Sequence, residues 1–463
     1  MKLSTQERDA ALEELKIFGR DPTNADPIFT KQGLETLAKY AFESTSESTS
    51  RGALRILCNA LLLKAETRQL FIDLGYEPKA CEKLKNGTVE DEFLLSRLIF
   101  LTTYGTNVDL PKLIEQHHLA ESIIQNLKRH AEQASTPKSG KAKVDPMVEM
   151  ALGETLKLIF NVTRFATNHI SSFDDAIPPI ATILCSYELP KTSKTPLDPP
   201  FSLLINALMN LNLGSEAAKP TVYPANPDTP DSLVNRLLDL LDISMKVYSD
   251  DGLEQSVTPL VCVLQAVYQN APAAAGPAPA TSKGSNTFPD SPVRRVMRTR
   301  LLPTEEDRKQ VLGKAETLPS RLLRNWSNPL APEFRKSVAH LYFDISSRDP
   351  HQFVNNVGYG YASGFLFDNK IPVPPEAMKG DGTGEGSSIN RPINPITGQF
   401  LDEESYPEIP PMTKEEKERE AERLFVLFER VKKSGVISVE NPIEKAVQEG
   451  RFEELPDSDS ESD

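Results

Sequence analysis

Histidine and cysteine are scarce in this chain, and neither is spaced for chemistry. The six histidines (His117, His118, His130, His169, His340 and His351) form no HExxH pair and no two-His-carboxylate set, the arrangements that hold a catalytic metal. The four cysteines (Cys58, Cys81, Cys185 and Cys262) lie too far apart for a CxxC metal or redox motif. Neither G-x-S-x-G nor G-x-x-x-x-G-K-[ST] occurs, so a serine nucleophile elbow and a phosphate-binding loop are unsupported. No apolar run reaches the ~18 residues of a membrane-spanning helix. Met1 is followed by the polar run KLSTQERDA instead of a secretory leader. Basic charge is short as well: 52 Lys and Arg against 66 Asp and Glu leave a net charge of −14. A nucleic-acid binder would need a basic face. The expectation is a reduced, cytoplasmic, monomeric chain that is no enzyme and carries no cofactor.

What is present divides the 463 residues into core-forming and connecting parts. Hydrophobic residues make up 39%, and proline reaches 37 positions, above the usual ~5%. Acid is concentrated at one end: residues 402–463 hold 19 acids against 9 bases, a net of −10, which leaves −4 for the first 401. One stretch runs the other way. Between Arg294 and Arg324 stand nine bases (Arg294, Arg295, Arg298, Arg300, Arg308, Lys309, Lys314, Arg321, Arg324) and four acids. Such a run is either a solvated helix face or a docking surface for an acidic partner.

Over residues 1–370 apolar residues recur at three- and four-residue spacing, the period of amphipathic helices. Leu54-Leu57-Leu61, Leu94-Leu98-Leu101, Leu152-Leu156-Ile159, Leu233-Leu237-Leu241 and Val338-Leu341-Ile345 are examples. Segments rich in Pro, Ala, Ser and Thr at 131–146, 186–200, 214–231 and 271–292 read as flexible insertions between helices. The pattern resumes after each, which predicts an all-α helical solenoid of the armadillo or HEAT kind. Four asparagines in helical segments follow an apolar residue, at Asn59, Asn161, Asn206 and Asn210. Armadillo repeats place an asparagine in this way on the inner helix. Its amide has both donor and acceptor and can pair with the backbone of a bound peptide; a helix-internal or capping hydrogen bond is the plainer alternative. Gly358-Tyr-Gly360-Tyr-Ala-Ser-Gly364 has the wrong spacing for a dinucleotide loop and reads as a turn packing two helices.

Residues 371–412 have linker composition. Thr413 with Glu416 then forms a capping box, opening a helix over 413–435. Its apolar stripe is Leu424, Phe425, Phe428 and Val431. That helix is either a cap on the solenoid or an arm for a partner. The acidic tail 436–463 ends in PDSDSESD, where Ser458 and Ser460 each have an acid at +3. They are candidate sites for an acid-directed kinase, unless the tail simply aids solubility.

Taken in order, RILCNALLLKAETRQLFIDLGYEPKACEKLK, SRLIFLTTYG, ETLKLIFNVTRF, FVNNVGYGYASG, INPITG, MTKEEKEREAERLFVLFERV and DSDSESD resemble the synembryn family, in a fungal flavour. The resemblance implies an armadillo-repeat chaperone and guanine-nucleotide exchange factor for heterotrimeric G-protein α subunits (Gα). It implies a solenoid that holds the carboxyl-terminal helix of Gα in a concave groove and stabilises the nucleotide-free state. It also implies a C-terminal arm, Lys414–Lys433, that contacts Gα, and recruitment to the cell cortex through Gα. Carried onto this chain, the groove residues are Asn59, Arg97, Asn161 and Arg164, with Arg294–Arg324 facing acidic Gα surface. Animal members have a phosphorylated acidic cluster before N-P-[VI]-T-G; here GDGTGEGSS stands there, with only Asp381 and Glu385. The rival reading is an armadillo-type adaptor that binds linear peptides without affecting nucleotide.

Overall fold

The structure, a computed structural model, describes residues 3–23, 25–136, 145–229, 232–273, 291–373 and 391–404. Beyond these it describes Thr413, Glu416, Arg419, Glu420, Glu422, Arg423, Val426 and Leu427. The chain opens with α1 (Thr5–Phe18) and α2 (Lys31–Glu43), then α3 (Glu47–Leu63), α4 (Glu66–Asp73), α5 (Glu77–Lys85) and α6 (Val89–Thr102). Next come α7 (Leu110–His117), α8 (Leu119–Ser135), α9 (Pro146–Phe165), α10 (Ile177–Ser186) and α11 (Phe201–Met209). The short α12 (Lys219–Val222) precedes α13 (Leu233–Val247), α14 (Asp250–Gly252), α15 (Thr258–Asn270) and α16 (Pro292–Leu301). The series closes with α17 (Leu318–Arg324), α18 (Pro332–Ile345), α19 (Pro350–Val357) and α20 (Tyr359–Asp368). Among the described residues the only β-type pairing is an isolated bridge between Ile393 and Phe400.

Local sequence sets the helix starts. Ser46, Thr88, Ser232 and Thr317 cap α3, α6, α13 and α17 by accepting a hydrogen bond from a first-turn amide, satisfying donors that have no partner inside the helix. At α9 and α19 an Asp-Pro pair does the same, with the carboxylate as cap and proline at the first helical position.

The helices stack in two ladders. Along one, α1, α3, α6, α9, α11, α15 and α18 pack in series. Along the other, α5, α8, α10, α13 and α16 pack in series. Rungs join them: α2 with α3, α5 with α6, α8 with α9, α10 with α11, α13 with α15, α16 with α18. Each unit buries its apolar stripe on the next, which makes the chain an all-α solenoid. The apolar core runs unbroken from Leu12 to Leu366. One polar node lies inside it. Glu92 on α6 has no exposed surface and accepts from His130 Nε2 of α8 at 2.9 Å and Thr155 Oγ1 of α9 at 2.7 Å. It also pairs with Arg129, so one carboxylate ties three helices.

Two expectations from composition need correction. The 186–200 and 214–231 segments are not loose insertions where described: Leu197, Ala218 and Val222 are buried, and the Leu197 N–H donates to the Tyr248 hydroxyl at 3.2 Å. The 371–412 linker is not a linker throughout, because residues 391–403 fold back onto the solenoid and belong to one compact unit spanning Met1–Glu403. In the other two insertions, 137–144 and 274–290 lie outside the described residues. The 358–364 segment is not a turn as a whole: Gly358, at φ +81°, joins α19 to α20, and Tyr359–Gly364 already belong to α20.

Candidate functional site

The first ladder keeps one side accessible, and its residues recur at helical spacing. On α3 this side carries Arg51, Arg55, Asn59 and Leu62. On α6 it carries Glu90, Phe93, Arg97 and Phe100, continuing to Tyr104 just past the helix. On α9 it carries Gly153, Lys157, Phe160 and Arg164, and on α11 Leu203 and Asn206. Gln265 and Gln269 of α15 and His340 of α18 extend it. Helices α6 and α9 thus have leucines on their packed sides and aromatics with cations on their open sides. Tyr104 is 41% exposed and Leu62 45%, large apolar surface for a soluble face.

Ion pairs fix the ladder's side chains. Arg51 grips Asp91 through two bonds of 3.0 Å and reaches the Thr88 hydroxyl at 3.1 Å. Arg55 pairs with Glu90. Arg97 donates to Glu154 of α9 at 3.2 Å, and Lys157 meets the same oxygen at 2.9 Å. Burial pushes the Asp91 carboxyl up, but Arg51 with the Thr88 N–H and hydroxyl outweigh it and hold it below the ordinary value. Arg97 lies over Phe93 and Arg164 over Phe165, each about 6.0 Å from the ring centre. This is cation-on-aromatic surface suited to an amphipathic segment with acidic or carbonyl groups.

Of the asparagines, Asn59 and Asn206 lie half-buried on the open side. Asn161 is a correction. It is 3% exposed and donates to the Thr103 hydroxyl at 2.8 Å, so it bridges α9 to the end of α6 and does not face a ligand. Asn210 likewise donates to the Phe160 carbonyl at 3.0 Å and links α11 to α9. Arg97 is half-buried and Arg164 exposed.

The basic stretch is a second correction. Arg294 is buried and donates to the carbonyls of Tyr268 and Gln269 at 2.9 and 3.1 Å. Arg308 is buried and binds three carbonyls. Arg321 is 8% exposed and pairs with Asp242. Arg300 meets Asp239 at 2.8 Å, Lys309 meets Glu306 at 2.7 Å, and Arg324 meets the Gly313 and Ala315 carbonyls and Glu316. Neither Arg295 nor Arg298 is without a partner. Lys314 is exposed. The guanidiniums here are staples on helix-end carbonyls and neighbouring acids, not one cationic surface.

In the C-terminal segment the capping box forms, with the Thr413 N–H on Glu416 at 3.0 Å and the Glu416 N–H on the Thr413 hydroxyl at 3.3 Å. Leu424, Phe425, Phe428, Val431, Ser458 and Ser460 lie outside the described residues. Among the described residues no group of side chains could hold a metal ion, and no helix is long and apolar enough to cross a membrane.

The fold is that of a helical-repeat solenoid, a class whose stacked repeats form extended binding surfaces. The chain belongs to the synembryn family: the model described as guanine nucleotide exchange factor synembryn matches residues 11–451. A synembryn-like chaperone of Schizosaccharomyces pombe is 26% identical over 376 residues, covering 79% of this chain and 66% of the relative's length, just under two thirds. The chaperone Ric-8A of Macaca fascicularis is 24% identical over 458 residues, covering 92% of this chain and 81% of the other. A designed armadillo repeat protein overlays with a TM-score of 0.37 at 16% identity, over 57% of this chain and 95% of its own. The repeat architecture rests on the helix packing above, not on that overlay.

Proposed function

We propose that this chain is a folding chaperone and guanine-nucleotide exchange factor for Gα subunits. The open side of α3, α6, α9 and α11 receives the carboxyl-terminal helix of Gα, and the C-terminal segment past residue 412 makes a second contact. The supporting observation is the row Phe93, Arg97, Phe100, Tyr104, Phe160 and Arg164: apolar surface and cations at the spacing a partner helix would match. Family membership supplies the partner class.

Exchange needs no bond chemistry from the factor. It needs tighter binding to empty Gα than to the GDP-bound form, and GDP then weakens factor binding by the same ratio. Moving a population from 1:99 to 99:1 takes about 5.5 kcal/mol of differential binding, within what a standard interface supplies. The test is GDP release from purified Gα with and without the protein. Faster release together with a stable nucleotide-free complex is the expected result. The half-buried amides of Asn59 and Asn206 favour the adaptor reading as a second possibility, in which a Gα peptide binds and GDP release stays at its intrinsic rate.

A further inference from the structure

Residues 391–403 close a clasp on the end of the solenoid, and Arg308 is its centre. The Arg308 guanidinium donates to the Gly398 carbonyl at 2.9 Å and to the Asn355 and Asn356 carbonyls of α19 at 2.9 and 3.1 Å. Its own carbonyl accepts from the Phe400 N–H at 2.9 Å. The Pro395 and Ile396 carbonyls accept from the Tyr359 and Gly360 amides at 2.7 and 3.0 Å, capping α20, whose N-cap residue Gly358 has no side chain to do so. Phe400 is fully buried. Burial pushes the Arg308 pKa down to about 10, with Asp307 opposing the fall, so the cation persists at neutral pH.

The clasp fixes where the chain leaves the solenoid. Nine peptide steps separate Glu404 from Thr413, a span of at most about 32 Å at ~3.5 Å per residue. Without it, the last packed residue before the segment past residue 412 would be Val373, forty steps from Thr413, with a limit of about 140 Å. We propose that Arg308 is a positioning residue: by holding the 391–403 clasp shut it keeps the tether of the segment past residue 412 short, and so raises that segment's effective concentration at a bound partner. The proposal rests on the reading that the segment past residue 412 engages Gα. For a tether longer than the distance it must span, effective concentration falls roughly as the −3/2 power of its length, so going from nine residues to forty weakens capture about ninefold.

Gly398→Val opens the clasp, because Gly398 has φ +69° and a Cβ there would sit 2.4 Å from a Leu312 methyl carbon. A thirty-residue Gly/Ser insertion between residues 408 and 409 lengthens the tether with the clasp untouched. Both are compared with the full chain and with a chain ending at Glu404, reading capture of purified GDP-bound Gα and hydrogen exchange at Tyr359, Gly360 and Phe400. The insertion should weaken capture about ninefold with those amides still protected, and G398V about ninefold with them exposed. The two combined should lose only about twofold more than either alone. Capture within twofold of the parent for the insertion, while the chain ending at Glu404 loses more, overturns the proposal even where G398V fails to fold. Failure of the full chain to capture Gα at all rejects the functional reading itself, and the tether role with it.

Discussion

Glu92 carries a carboxylate with no exposed surface, and its neighbours decide what acid does to the fold. Burial pushes its pKa up, but the His130 bond and charge, the Thr155 hydroxyl and Arg129 outweigh that, leaving it below the ordinary value. A depressed carboxyl stabilises the fold above the unfolded pKa, ~4.3 for Glu, and loses that contribution as pH falls through the folded value. Glu92→Gln should therefore be less stable than the parent by about 1–3 kcal/mol at pH 7, with the difference shrinking below pH ~4. Urea midpoints across that range decide it; a constant difference would show that Glu92 contributes no pH dependence. Asn161 and Asn59 separate in the same way, one tying helices together and one that we propose faces the partner. Asn161→Ala should cost about 1–3 kcal/mol of stability and leave affinity for a Gα carboxyl-terminal peptide alone. Asn59→Ala should lower that affinity while melting changes by less than about 0.5 kcal/mol. Melting and calorimetric titration of both variants give the answer, and equal loss of peptide affinity would return Asn161 to the open side.

Helix α6 buries Leu94, Leu98 and Leu101 against neighbouring helices and leaves Phe93, Arg97 and Phe100 half-buried on the side where we propose a partner binds. Phe100→Ala should weaken capture of Gα by more than about 1 kcal/mol, as a central anchor does, with the melting temperature held. A fall in melting temperature without loss of capture would make Phe100 a packing residue. This double use explains what could be read from sequence and what could not. The leucine stripes gave the solenoid, since burial needs only periodicity. Phe93 and Phe100 were present at the same spacing, but aromatics set among leucines at helical period look like more core. The arginines of 294–324 misled for another reason: a count of charge does not say whether a guanidinium meets water or a helix-end carbonyl. The clasp was hidden because its order comes from residues some ninety positions away, while composition reports only on neighbours.

At the scale of the molecule, the compact unit ends at Glu403. Removing residues 405–463 should therefore leave melting and peptide binding intact, while capture of whole Gα weakens and GDP release slows. A lowered melting temperature would show instead that the C-terminal helix caps the solenoid. The ladder also has an order in time. Neighbouring helices of the first ladder join residues 40 positions apart in Arg51 with Asp91 and 79 apart in Gln265 with Asp344. Each can close while the ribosome is still extending the chain. The bond from Arg308 to Gly398 spans 90 residues, and at ~5–20 residues per second of synthesis Arg308 waits roughly 5–20 s for its partner to be made. A newborn chain therefore passes through an interval in which the repeats are stacked but the end is unsealed, with α20 uncapped and Leu312 bare. In that interval the chain would itself be a client for a chaperone.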